Sequence, residues 1–154
     1  MKPYFYSIEK QNQLKAELTE WLGTPWRHHC SVKNRGCDCI GFIVGVLINV
    51  GFLEPDKIVI PGYPQDWHIH NNEELLLNSL REQNYLQEVS SPVEIGDILV
   101  FKYGKASSHV GIYVNNTIYH SINNRTVIRT PFRDPTFRKR MTAIFRCMDE
   151  EVIE

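Results

Sequence analysis

Charge of one sign is missing from this chain. Its 17 Lys and Arg stand against 18 Asp and Glu, a formal net charge of −1 over 154 residues. No general attraction therefore draws it to nucleic acid or to a membrane surface. Long apolar runs are missing too: the segment from Ile40 to Val50 is too short and too tightly bounded for a membrane span. Cysteine is scarce, with four residues. A chain of this length buries about 68–70% of its unfolded surface and needs no disulfide frame. Cys37 and Cys39 are too close for an ordinary bridge with each other, and the thiols are read as reduced. There is no internal repeat and no low-complexity tract. The opening Met1-Lys2-Pro3-Tyr4-Phe5-Tyr6 runs into a polar segment without an apolar core. No signal peptide is therefore expected, and synthesis is expected in the cytoplasm. The length predicts one catalytic domain over residues 1–154, with a core of about 7–147 and a frayed acidic tail from Asp149.

What is present begins with Asp38-Cys39, which opens the run Ile40-Gly41-Phe42-Ile43-Val44-Gly45-Val46-Leu47-Ile48. The run is apolar on nearly every face, so as a helix it would be buried all round. Asp38 is a good N-cap and Gly51 a good stop. Cys39 then lies in the first turn, where free N–H groups and the helix dipole favour thiolate. Asp38 opposes this, and a cationic His109 would offset the opposition. Gly41 and Gly45 share a face and allow a neighbouring backbone close approach. A free cysteine is ordinarily a small core residue; the histidines downstream shift the balance.

Those histidines lie in a predicted hairpin. Ile95-Gly96-Asp97-Ile98-Leu99-Val100-Phe101 reads as a turn into a strand, followed by a polar loop from Lys102 to Ser108. His109-Val110-Gly111-Ile112-Tyr113-Val114 is a second strand, Asn115-Asn116 a tight turn, and Thr117-Ile118-Tyr119-His120-Ser121 the return strand. Counting from the turn places His109 near Ser121 or Asn123, and a bulge or longer turn would bring His120 alongside instead. A thiol, a base and a third group that orients the base are the parts of a cysteine-nucleophile site. Cys39, His109 and His120 are the candidates for these roles.

At these positions the chain resembles the NlpC-type cell-wall peptidases, closest to the branch found in phage and gene-transfer-agent tails. The likeness rests on Gly23-Thr24-Pro25-Trp26-Arg27-His28, Asp38-Cys39-Ile40-Gly41-Phe42, Gly96-Asp97-Ile98-Leu99-Val100-Phe101 and Ser108-His109-Val110-Gly111-Ile112-Tyr113. Tyr63-Pro64-Gln65-Asp66-Trp67-His68-Ile69-His70, with Glu73-Glu74-Leu75-Leu76 after it, is similar to that branch as well. Weak singly, these motifs are specific in this order. The resemblance implies a papain-like α+β fold, with N-terminal helices on a central antiparallel sheet. It implies a cysteine peptidase cutting next to D-glutamate in peptidoglycan stem peptides, often at the γ-D-glutamyl–diaminopimelate bond. Cys39 would be nucleophile, His109 base and His120 orienting residue, with Asp38 helping to hold the substrate's amino end. Trp26, His28, Ser108 and Trp67 complete the expected substrate contacts. The family usually has Tyr at Trp26, where it helps form the oxyanion site, and often Ser at Ile40. The implied partners are stem peptides and phage tail proteins, with delivery to the wall by a phage or phage-like particle. Neither cofactor, metal, nucleic acid nor membrane is expected. The alternatives are a non-catalytic tail adaptor and a thiol acyltransferase on the same scaffold.

Elsewhere, Ser7 to Leu22 reads as a helix with Leu14, Leu18, Trp21 and Leu22 on its apolar face. Residues 24 to 37 read as a polar loop. Asn71 with Glu74 reads as a capping box for a helix through Leu76, Leu77 and Leu80. Strands are expected at about 86–89, 97–103, 109–114, 117–122, 126–130 and 141–147. Helices first and strands second is the α+β pattern. His28, His29, Cys30, Cys37, Cys39, His68 and His70 are enough soft ligands for zinc, but their spacing is not that of structural zinc sites. His68 and His70 read as a solvated loop or, with Trp67, as a cleft wall. Arg125, Arg129, Arg133, Arg138, Lys139 and Arg140 read as a solvated face able to meet stem carboxylates.

Overall fold

A computed structural model describes residues 2–57 and 74–149. The first helix, α1, spans Ile8–Trp21, and the Ser7 hydroxyl caps it by accepting the Lys10 N–H at 3.2 Å. Leu14, Leu18 and Trp21 recur at helical spacing and are buried. Helix α2 spans Cys39–Asn49, and only Asn49 in it is exposed. Phe42 and Val46 are fully buried against the sheet, each contributing about 1.5–3 kcal/mol by leaving water. Gly41 is required by close approach: a Cβ there would strike the Cys30 carbonyl. At Gly45 the close neighbour is instead the Trp21 indole, whose ring a Cβ would meet at 2.5 Å.

The strands are β1 (Lys2–Pro3), β2 (Ser31–Val32), β3 (Gly36–Cys37), β4 (Leu86–Val89), β5 (Ile98–Tyr103), β6 (Ala106–Val114), β7 (Thr117–Ser121), β8 (Val127–Pro131) and β9 (Met141–Asp149). Among the described residues the main sheet runs β1-β9-β5-β6-β7-β8, with β4 also paired to β9, and every pairing is antiparallel. Helices α1 and α2 and helix α3 (Leu75–Glu82) pack with Val100, Val110, Ile112 and Phe145 on one face. The other face carries Leu99, Phe101, Tyr113, Ile118 and Ile144, with Phe137 of the short helix α4 (Pro135–Arg138) packed against it. Burial on both faces explains why Ile98-Leu99-Val100-Phe101 is a continuous apolar run rather than an alternating one.

Three local expectations change. The stretch 24–37 is not only loop: β2 and β3 pair within it, Ser31 opposite Cys37. The polar loop after Phe101 shrinks to a turn at Gly104-Lys105, because β5 runs to Tyr103 and β6 starts at Ala106. Helix α3 begins at Leu75, with Glu74 at its N-cap position and no side-chain cap bond. The Glu74 carboxylate instead accepts the Ser107 N–H at 3.1 Å; Asn71 lies outside the described residues, as does the tail beyond Asp149.

Candidate active site

Both carboxylate oxygens of Asp38 are committed to backbone. Oδ1 accepts the Gly41 N–H at 2.7 Å, the N-cap bond of α2, and Oδ2 accepts the His29 N–H at 2.8 Å. The residue is 3% exposed. One side chain thus starts the helix at Cys39 and clamps the preceding loop against it. That loop is stitched to the sheet: the Ser121 hydroxyl donates to the Cys37 carbonyl at 3.0 Å, and the Trp26 N–H donates to the Arg125 carbonyl at 2.8 Å. Ser121 is the residue after His120, so the start of α2 is held directly against the histidine-bearing strand.

Cys39 meets β6 at an irregularity. Phe101 pairs with His109 and Lys102 with Ser107, which leaves Ser108 as the extra residue of a bulge. The Cys39 thiol donates to the carbonyl of Ser108 at 3.6 Å, and the Val110 N–H favours its anionic form. The sulfur therefore lies on the backbone that flanks His109 on both sides.

His109 bonds His120, Nε2 to Nδ1, at 2.8 Å. No bulge in the β6–β7 hairpin brings them together. The turn has two residues, Asn115 and Asn116, both at positive φ, and Val114 pairs with Thr117 as counting predicts. This register carried on sets His120 opposite Gly111, and His109 is its diagonal neighbour on the same face. Gly111 makes the diagonal usable, since a Cβ there would lie 2.6 Å from Ile118 Cγ2 and 3.3 Å from His120 Cβ. With no side chain opposite it, the His120 ring leans across to His109. The same step repeats on the next strand: His120 pairs with Ile128, and its Nε2 bonds Thr130 Oγ1 at 2.8 Å, again on the diagonal. His120 is 0% and Thr130 6% exposed. Phe137 closes over His120 with centroids 4.8 Å apart, and Phe101 and Tyr103 flank His109 at 5.7 Å each.

The electrostatics correct one expectation. Burial pushes the Cys39 thiol up to about 12, and the Asp38 charge pushes the same way. The N–H groups of Val110, Ile40 and Cys39 pull it down, but by less. Burial also holds His109 well below the ordinary imidazole value, reinforced by His120, and lowers His120 to about 4. Part of Cys39 and of His109 still meets solvent, yet protein crowds the titrating atoms. Both shifts favour a neutral thiol and a neutral imidazole, against the thiolate that the helix dipole favours and the cationic His109 that would offset Asp38. A half-charge at a helix end is too weak to offset removal of the sulfur from water.

Of the expected site residues, Asp38, Cys39, Ser108, His109 and His120 come together. Ser108 contributes its carbonyl to the thiol. Trp26 and His28 are ring neighbours, tilted by 30° with centroids 6.3 Å apart, and His28 stacks on His29 at 3.9 Å. The His29 N–H bond to Asp38 ties this stack to the cysteine end of α2. Trp67, His68 and His70 lie outside the described residues. Sequence reasoning missed Thr130, Ser121 and the bulge at Ser108. Thr130 lies one strand beyond the hairpin that was counted, on β8, opposite Ile118. Among the described residues no group of three or more His, Cys, Asp or Glu is arranged to hold a metal ion, no helix is long and apolar enough to cross a membrane, and the cysteines are free thiols. A cavity of about 590 Å³ opens at the other end of β5 and β6, lined by Phe5, Tyr6, Gln11, Glu94, Tyr113 and Arg146 among others, and it contains none of these site residues.

The family model described as the NlpC/P60 family matches residues 23–146. The chain is 25% identical over 136 residues to the murein DD-endopeptidase MepS/murein LD-carboxypeptidase of Escherichia coli strain K12, covering 87% of this chain and 61% of that protein. It thus spans about three-fifths of that relative's length. Among solved structures, an NLP/P60 family protein similar to lipoprotein from Staphylococcus aureus superposes with a TM-score of 0.65 at 19% identity, over 96% of this chain and 44% of that one. An NlpC/P60 family protein from Bacillus cereus gives 0.64 at 21%, over 90% and 40% of the two chains. The peptidoglycan hydrolase RipB of Mycobacterium tuberculosis gives 0.59 at 16%, over 97% and 69%. At these identities the structural likeness is one of fold.

Proposed function

The chain belongs to the NlpC/P60 family, and from that premise we propose that it is a cysteine peptidase of peptidoglycan stem peptides, with Cys39 as nucleophile, His109 as base and His120 as orienting residue. One observation carries the reading. The Cys39 thiol rests on the backbone either side of His109, while His109 Nε2 is taken by His120. Nδ1 is then the ring nitrogen left for the sulfur.

The chemistry follows from the neutral resting pair. Transfer from a thiol near 12 to an imidazole well below 6.5 is uphill, so it proceeds together with attack rather than before it. The S–H proton passes to His109 Nδ1 as the sulfur bonds to the amide carbonyl carbon. The oxyanion that forms is stabilised by the Cys39 N–H at the helix end, with Trp26 or His28 as the side-chain donor. The imidazolium of His109 returns the proton to the departing amine, the C–N bond breaks, and a thioester remains on Cys39. His109 then takes a proton from water, the hydroxide adds to the thioester, and the sulfur leaves with its proton restored.

The motif resemblance supports a cut beside D-glutamate, of the γ-D-glutamyl–diaminopimelate type, and the likeness of Tyr63–Leu76 to the tail branch supports action from a phage-like particle. Incubating purified peptidoglycan with the protein and identifying the fragments by mass spectrometry tests both substrate class and bond. New stem fragments ending at D-glutamate are expected; an unchanged digest would overturn the proposal. The particle context fails if the protein never co-assembles with tail proteins encoded beside it.

A further inference from the structure

We infer that Thr130 is a positioning residue of this site: its hydroxyl oxygen accepts the His120 Nε2–H and thereby keeps His109 Nδ1 free to act as the base. The inference rests on the proposed roles of Cys39, His109 and His120 and goes one residue beyond them. Two hydrogen bonds of 2.8 Å each link His109, His120 and Thr130 in a row across β6, β7 and β8. A neutral imidazole carries one N–H, so the two links admit two proton arrangements. In the outward one, His109 Nε2–H donates to His120 Nδ1, and His120 Nε2–H donates to Thr130 Oγ1. His109 Nδ1 then carries a lone pair and can take the thiol proton. In the inward one, Thr130 O–H donates to His120 Nε2, and His120 Nδ1–H donates to His109 Nε2. His109 Nδ1 is then already protonated and cannot serve as base.

The outward arrangement requires an acceptor for the His120 Nε2–H. His120 is 0% exposed, so water does not supply one. Its surroundings are His109 from β6, Thr130 from β8, the Phe137 ring from α4, and the Asp134 charge at the start of that helix. The Asp134 carboxylate already accepts the Thr136 N–H at 2.9 Å. Thr130 is therefore the acceptor in place. Without its hydroxyl the outward arrangement buries an orphan N–H. The inward one leaves a bare acceptor, which proteins tolerate better. The population then moves to the form that cannot catalyse.

The test compares Thr130→Val, which keeps the shape and removes the hydroxyl, with Thr130→Ser, which keeps the hydroxyl. The expected result is a fall in kcat of about tenfold for Thr130→Val with KM unchanged, and recovery by Thr130→Ser. Long-range 1H–15N spectra of the imidazoles provide a readout independent of turnover. The proton on His120 should sit on Nε2 in the wild type and in Thr130→Ser, and should move to Nδ1 in Thr130→Val. A Thr130→Val protein with wild-type kcat and an unmoved His120 proton overturns the inference, as does equal loss in Val and Ser. If Cys39→Ala keeps full activity, the nucleophile assignment fails, while the spectra still decide whether Thr130 sets the proton position.

Discussion

Strands β5 and β6 carry a buried polar cluster at each end, and the two are built on opposite principles. At one end Asp97, 1% exposed, is gripped by the Arg146 guanidinium at 2.9 and 3.0 Å and accepts the Glu94 N–H at 2.8 Å. Burial pushes the Asp97 carboxyl up by more than Arg146 pulls it down, while pairing raises Arg146. The bidentate geometry identifies an ion pair held at the cost of desolvation. At the other end the row from His109 to Thr130 is neutral, linked by single hydrogen bonds, and next to a thiol. A cavity of about 590 Å³ lies against the ionic end. The difference teaches what each end can do. The ionic end has its charges paired within the protein, whereas the neutral end keeps a ring nitrogen available for proton transfer.

The comparison breaks most sharply at His109. His109→Ala is expected to lower kcat by roughly a thousandfold or more, the upper part of the range for a general base, with little change in melting temperature. Loss of under tenfold would remove its catalytic role. At the ionic end Arg146→Met should do the reverse. It strands the Asp97 carboxylate and should cost about 3–5 kcal/mol of stability in a denaturant titration, with kcat per folded molecule unchanged; an intact stability or a lost kcat would merge the two ends.

Acid sharpens the contrast at smaller amplitude. His120 has a folded value of about 4 against 6.5 when unfolded, so the unfolded chain binds the extra proton between those values. Stability from this group is complete above pH 6.5 and falls as pH drops toward 4, by roughly 3 kcal/mol in total. Equilibrium unfolding between pH 7 and 4 should show that decline on top of one from His109, which burial also lowers, and replacing His120 by Gln should make the total fall smaller by about that amount. A decline of the same size in His120→Gln would assign it elsewhere.

How much of this was legible in the sequence depended on the range of the interaction. The α+β class and the capped cysteine helix follow from periodicity and from Asp38 standing three residues before Gly41, both local signals. The register of the Asn115-Asn116 hairpin was countable at the turn, where Val114 faces Thr117, but carried to His109 the count pointed to Ser121 or Asn123, whereas the contact is with His120. What misled was the assumption that contacts run straight across a hairpin; the absent side chain at Gly111 turned the contact diagonal. The bulge at Ser108 and the protonation state of Cys39 were not legible, because each depends on how distant segments crowd one another. The hairpin of β2 and β3 was hidden by its length, two residues a strand, too short for any alternation to show.

The account stands on the sulfur of Cys39. Digestion of purified peptidoglycan by Cys39→Ala, run beside wild type with folding checked by circular dichroism, measures it directly. The account predicts a folded protein that releases no stem fragments. A folded Cys39→Ala protein that releases the same fragments at the wild-type rate would contradict it.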